Sequence, residues 1–266
     1  MEQGKDLRIG IIGGAGWLGG AMAAAMLDAG VVAPENLALS YRTTRPNRFS
    51  RAFWTKDNQT LADRSDIIIL SIRPADWQDL TVTAEGKLVI SVMAGIRLAA
   101  LGNRHRTHRA VRALPNAAAE ARKSYTPWLA ADGIDEADRA VIRAIFDACG
   151  VQDEVQSEAE IDYLTGLTGS GPAFPALLAD AMMADAISRG LDPRVARRAV
   201  NMLLVGAGRM LEQRDDCPTE TVKTFLDYRG TTAAAIETMT SAGFRAAVAQ
   251  GLAAAYEKSL HLGDAS

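Results

Sequence analysis

Gly14-Ala15-Gly16-Trp17-Leu18-Gly19 has the spacing G-x-G-x-x-G and stands between a β-branched run, residues 8–13 (RIGIIG), and an alanine-rich stretch. Glycine serves such a segment mechanically: the first permits a tight turn, the second lets a pyrophosphate approach the backbone, and the third lets helix and strand pack closely. Phosphates would rest on the helix N-terminus, where N–H groups and the dipole favour an anion. The strand–turn–helix setting points to a dinucleotide rather than to a merely structural glycine turn. Charge then selects among dinucleotides. An NAD site commonly places Asp or Glu about 20 residues past the motif, on the ribose hydroxyls. That stretch here, residues 39–45 (LSYRTTR), has no acid. Arg42 can hold a 2′-phosphate in a fork, and Thr43 or Thr44 can donate a hydroxyl. NADP(H) is therefore preferred, with NAD(H) possible. The competing reading is a solvated basic loop, because Arg45, Arg48 and Arg51 follow.

Two small-residue segments could hold a small anion. In Thr165-Gly166-Leu167-Thr168-Gly169-Ser170-Gly171-Pro172-Ala173, Ser170 is expected near a helix cap with Pro172 in the first turn; Gly230-Thr231-Thr232 precedes a second helix. Both termini would offer N–H groups and a hydroxyl to a carboxylate, although ordinary capping explains each segment locally. Three further segments, Ile72-Arg73-Pro74, Ala94-Gly95 and Pro115-Asn116, follow apolar runs. Ligands bind at the carboxyl ends of parallel strands, so these turns should border the cofactor.

The elements that must position these residues fall into two halves. Residues 8–13, 37–41, 67–72, 88–93 and 109–114 read as strands, the third and fourth apolar nearly throughout, which implies helices on both faces. Residues 21–29 read as a helix closed by Gly30, residues 125–130 as an edge strand, and residues 136–149 as a helix behind it. Strand and helix in alternation imply a doubly wound parallel sheet. Beyond about residue 155 only helical patterns remain, over residues 158–167, 172–189, 192–213, 218–226, 232–241 and 244–262. The expected division is 1–155, a dinucleotide-binding domain, and 156–266, an all-helical domain. Met182, Met183, Met202 and Met210 suit a core or a subunit interface.

Composition bounds the function. The 266 residues are 48% hydrophobic, with 29 Lys plus Arg against 32 Asp plus Glu, so the chain is globular and carries no polyanion track; no nucleic-acid partner is expected. Two cysteines make no disulfide framework, and three histidines without CxxC or HExxH make no metal site. The start, MEQGKDLRIG, has charges where a signal peptide needs an apolar stretch, and no run approaches the ~18 apolar residues of a membrane span. The expectation is a cytoplasmic protein with no membrane contact.

The order of IGIIGGAGWLG, SIRPAD, SVMAGI, RALPNA, LTGLTGSGPAF, RGTTAAAIE and GFRAAVAQGLAAAYEKS resembles the pyrroline-5-carboxylate reductase family, from about residue 7 to 262. The resemblance implies a Rossmann domain, a helical dimerisation domain, and NAD(P)H-dependent reduction of a cyclic imine to proline. It also implies a homodimer or a ring of dimers, with each active site built from two subunits. By the same resemblance, Gly14, Ala15, Gly16, Trp17, Leu18 and Gly19 hold the pyrophosphate, and Arg42 and Thr43 meet the adenosine ribose or its phosphate. Ile72, Arg73, Pro74, Ala94, Gly95 and Asn116 line the cofactor. Ser170, Gly171 and Pro172 lie beside the nicotinamide, and Gly230, Thr231 and Thr232 form the loop that grips the substrate carboxylate; Gly169, Tyr228 and Arg229 are further substrate-binding candidates. Ser170, Thr231 and Thr232 are the catalytic candidates.

Departures fall at the substrate end. The family's Ser-Pro-Gly-Gly-Thr-Thr is here Asp227-Tyr228-Arg229-Gly230-Thr231-Thr232, and its Pro-Asn-Thr-Pro is Pro115-Asn116-Ala117-Ala118. A glycine held at positive φ is poorly replaced by arginine, so a differently shaped loop is expected. The alternatives are an imine reductase of the same fold acting on a different or bulkier cyclic imino acid, and a non-catalytic NADP-binding protein. A 3-hydroxyacid dehydrogenase would want a lysine base after the GSGPA segment, and none occurs between Lys123 and Lys223.

Overall fold

The computed structural model describes residues 7–214 and 216–264; the charged opening residues 1–6 lie outside the described residues. The apolar runs form the strands β1 (Ile9–Ile12), β2 (Leu37–Ser40), β4 (Ile67–Leu70), β5 (Leu88–Ser91) and β6 (Ala110–Ala113). Each is buried at every position. Alternate residues feed separate cores, which is why the runs are apolar throughout. Ile67 and Ile69 join Met22, Met26, Ile145 and Phe146 on one face. Ile68 and Leu70 join Leu61, Trp77 and Leu101 on the other.

Two short strands escape the sequence pattern. β3 (Phe53–Thr55) has only three residues, and β8 (Gly150–Glu154) alternates half-buried with exposed positions and ends in acids. With β7 (Ser124–Ala130) they complete an eight-stranded sheet of order β3-β2-β1-β4-β5-β6-β7-β8. All neighbours are parallel except β6 and β7. β7 is therefore an interior strand and not the expected edge. It buries Trp128 completely, and β8 takes the edge because its charges tolerate water.

Helices fill the connections: α1 (Trp17–Asp28), α2 (Asn58–Asp63), α3 (Pro74–Trp77), α4 (Leu98–His105), α5 (Glu136–Asp147) and α6 (Glu158–Leu164). α1 begins at Trp17, four residues before the expected position 21, because its buried Gly19 and Gly20 are helical despite their weak propensity. The remaining helices are α7 (Ala173–Ser188), α8 (Pro193–Gln213), α9 (Pro218–Asp227), α10 (Thr231–Ser241) and α11 (Phe244–Asp264). Contacts divide the chain into one unit that runs through Ser170 and includes the chain from Ala255, and a second, Gly171–Ala254. In the second, α7 packs on α8 and α9 on α10. Met202 and Met210 are exposed in this chain, not core.

His105 is fully buried at the end of α4. Trp77 Nε1 donates to its Nε2 at 3.0 Å, and its Nδ1 lies 2.8 Å from the Val82 carbonyl oxygen. That pairing requires the neutral ring, with the proton on Nδ1. Burial depresses its pKa, with Arg104 adding to the effect and the Val82 bond opposing it. The unfolded chain thus binds a proton that the native state refuses, and stability falls as pH drops below about 6.5. We expect the thermal midpoint to decline from pH 7 to 5. In His105→Gln, which can make both bonds without titrating, this component of the decline should vanish.

Candidate functional site

A cleft of about 940 Å³ opens at the carboxyl ends of the parallel strands, a size at the upper end for small-molecule and cofactor sites. Its floor is the turn between β1 and α1. The left-handed residue there is Gly13 (φ +87°), not Gly14, and a Cβ on Gly13 would lie 2.2 Å from the Ser71 carbonyl oxygen. Gly14 is glycine because a Cβ would strike Leu39 at 2.6 Å, and Gly19 because one would strike the Gly13 carbonyl oxygen at 2.6 Å. The last of these is the close helix–strand approach expected of the third glycine. Ser40 ends β2 and fixes the turn: its hydroxyl accepts from Gly13 N–H at 2.9 Å and its carbonyl from Ala15 N–H at 3.0 Å.

The cradle fits a pyrophosphate. Ala15, Gly16, Trp17 and Leu18 line the cleft. Gly16 caps α1 without any side-chain bond, so the first-turn N–H groups are spent on no cap; the Gly20 N–H is bonded to the Gly16 carbonyl. Trp17 is 55% exposed, and its indole N–H donates to Glu120 at 3.1 Å.

Arg42 and Thr43 border the same cleft after β2, joined by Thr44, and by Lys56 and Asn58 beyond β3. The last two were missed because β3 was missed. The basic loop is not simply solvated. Arg48 donates to the Gly16 carbonyl at 3.2 Å, and Arg51 pairs with Glu35. Ile72, Arg73 and Pro74 after β4 and Ala94 after β5 also line the cleft, as does an acid that the reading of residues 39–45 did not reveal, Asp76 of α3.

Gly95 and Asn116 have structural partners. Gly95 (φ +80°) lets the Leu262 backbone approach, since a Cβ would lie 2.7 Å from it. Asn116 accepts from Ala118 N–H at 2.9 Å and donates to the Thr168 carbonyl at 3.0 Å. Thr165–Gly169 continues α6 as one wide π turn, a feature common at functional sites. Buried Arg112 of β6 steadies it by pairing with Glu158 and, at 2.6 Å, with Asp162 of α6, whose carbonyl also takes the Ser259 hydroxyl at 2.8 Å. Losing one partner of such a buried pair costs about 3–5 kcal/mol. Thr165 and Thr168 bond carbonyls one turn back, leaving Ser170 as the exposed hydroxyl.

Ser170 does not cap α7: it closes the π turn, its N–H bonding the Thr165 carbonyl, and the residue before α7 is Pro172. The cap of α7 thus falls two residues after Ser170. In the other unit, Gly230 caps α10 with no side-chain bond, which keeps the first-turn N–H groups of Thr231 and Thr232 unspent by a cap. Arg229 takes the left-handed conformation (φ +52°) that glycine prefers, and Tyr228 is 86% exposed. The arginine thus sits in a backbone conformation that suits glycine better. Arg229→Gly should accordingly raise stability by about 1 kcal/mol, reversing the usual cost of glycine; urea unfolding midpoints measure it.

Sheet topology, glycine turn and cleft define a dinucleotide-binding oxidoreductase with a helical second half. Residues 158–262 match a family model described as pyrroline-5-carboxylate reductase dimerisation. Residues 8–95 match one described as NADP oxidoreductase, coenzyme F420-dependent. The pyrroline-5-carboxylate reductase of Methanosarcina acetivorans is 32% identical over 273 residues, covering 97% of this chain and 99% of that protein. That of Synechocystis is 29% identical over 266 residues, with 97% and 99% covered. The chain belongs to the pyrroline-5-carboxylate reductase family. Among solved structures, a pyrroline-5-carboxylate reductase from Coxiella burnetii superposes with TM-score 0.86 at 24% identity, over 96% of this chain and 98% of that one. A Plasmodium falciparum pyrroline carboxylate reductase with NADP bound gives 0.85 at 22%, over 97% and 98%. These two establish the shared fold.

Proposed function

We propose that this protein reduces 1-pyrroline-5-carboxylate to L-proline with NADPH, and with NADH less effectively. The observation that carries the reading is the bare-backbone cradle of the glycine turn in a chain alike to pyrroline-5-carboxylate reductases over almost its full length. When bound, the reduced nicotinamide supplies a hydride to the imine carbon of the protonated C=N group, whose π pair becomes the amine lone pair.

The protein's part is orientation, because a protonated imine is already electrophilic. Gly14, Ala15, Gly16, Trp17, Leu18 and Gly19 form the pyrophosphate cradle, and Arg42 and Thr43 take the adenosine phosphate. Ile72, Arg73, Pro74 and Ala94 wall the cofactor, while Gly95 and Asn116 hold their turns in shape. Thr231 and Thr232, with the N–H groups behind Gly230, fix the substrate carboxylate. Ser170, or a water it holds, serves the nitrogen proton, and Gly169, Gly171 and Pro172 give it close approach. Functionally, residues 1–155 bind the cofactor and residues 156–266 carry the substrate groups and the subunit interface, a division supported by the family match over 158–262.

The working form we infer is a cytoplasmic homodimer or a ring of dimers. Large apolar side chains exposed on the helical unit, including Leu177 at 71% and Met202 at 62%, support a self-association surface. Two unpaired thiols, Cys149 and Cys217, suit a reducing compartment. No helix among the described residues is long and apolar enough to cross a membrane. A second reading, a bulkier imino acid, is favoured by Tyr228 and Arg229, where the family has proline and glycine. NADPH oxidation with the five-membered imine and with a panel of larger cyclic imino acids separates the two. Turnover only with the larger acids selects the second reading, and no turnover with any removes both.

A further inference from the structure

The end of β2 has no acid of its own, yet the fold supplies one from the helix that follows β4. Asp76 lies on α3, directly after β4, and the sheet order β2-β1-β4 brings the ends of β2 and β4 to one rim. Its carboxylate accepts from Arg73 Nε at 2.8 Å and Nη2 at 2.9 Å, and lies 3.5 Å from Arg42 Nη1. Arg42, Arg73 and Asp76 all line the cleft. Both guanidinium groups are largely exposed, so these ion pairs are weak and readily exchanged.

The cations that would receive a phosphate dianion therefore already hold a carboxylate. A 2′-phosphate arriving at Arg42 has to share or displace that partner, and it meets the Asp76 charge beside it. A ribose hydroxyl in the same place disturbs nothing. We propose that Asp76 sets the coenzyme selectivity of this protein, as a resident counter-ion on Arg42 and Arg73 that lowers the preference for NADPH over NADH. The inference rests on the coenzyme reading proposed above. It differs in sign from a purely structural role: an Asp76 that only preorganised the arginines would favour NADPH, and its loss would weaken NADPH binding.

Titration calorimetry of NADPH and NADH tests the point without turnover, using wild type, Asp76→Asn, Asp76→Ala and Asp79→Asn at low ionic strength. Asp79 borders the same cleft, and its variant makes the same change in net charge. Loss of the Asp76 carboxylate should raise the ratio of Kd for NADH to Kd for NADPH about three- to tenfold, chiefly by tightening NADPH. The increment should shrink at high salt. A ratio that is unchanged or falls in both Asp76 variants overturns the inference. So does an equal rise in Asp79→Asn, which would assign the effect to net charge alone. If neither coenzyme binds the wild type, the coenzyme reading falls and this inference with it.

Discussion

Gly13→Ala should lower the unfolding free energy by about 2–6 kcal/mol and abolish measurable NADPH binding. Two costs add. A non-glycine residue at φ +87° costs about 1–3 kcal/mol. Forcing a Cβ to within 2.2 Å of the Ser71 backbone oxygen adds about 1–3 kcal/mol, because a backbone carbonyl cannot swing aside as a side-chain tip can. Relief of that clash displaces the turn, which breaks its bonds to Ser40 and moves the N–H groups at the start of α1. Urea unfolding followed by circular dichroism gives the stability, and calorimetry gives the affinity. A variant with wild-type midpoint and wild-type Kd would show that neither the left-handed turn nor its contact with the β4 end is needed.

The second large effect is expected at the substrate end. Thr232→Ala should reduce kcat/KM for the imino acid about 10–100-fold, the worth of one hydrogen bond to a charged group, at roughly 1.5–3 kcal/mol. NADPH affinity should be unchanged. Thr232 lies in the first turn of α10, and the absence of a side-chain cap leaves that terminus to a ligand. Steady-state kinetics at saturating NADPH, with fluorescence titration of the coenzyme, separate the two quantities. Normal kinetics would remove Thr232 from the carboxylate assignment, whereas equal losses of coenzyme and substrate binding would point to a general disturbance of the helix.

Some features were legible in the sequence because they depend on local periodicity or on residue type. The runs at Ile67–Leu70 and Leu88–Ser91 read as doubly covered strands because two separate cores demand apolar residues at both odd and even positions. The alternating pattern of the first half likewise announced the sheet. The elements that escaped are those with weak local signals: β3 is too short, and β8 carries charge along an edge. The order of strands also escaped, so the interior position of β7 was not foreseen. At the helical end, Ser170 reads as lying near a cap, with Pro172 in the first turn. The helix does start beside Pro172, at Ala173, but α6 continues through a π turn up to Ser170, which no local residue pattern announced.

The sequence by itself determined that this protein has a nucleotide-binding turn, a parallel sheet covered on both sides and a helical second half, because each is written in residues close together along the chain. Only the tertiary structure decided which glycine carries the left-handed turn, that His105 is held neutral between Trp77 and Val82, and that Asp76 stands against Arg42. Those outcomes depend on which strand ends become neighbours. Coulombic attraction and steric exclusion act through a few ångströms of space, and no spacing along the chain reports that distance.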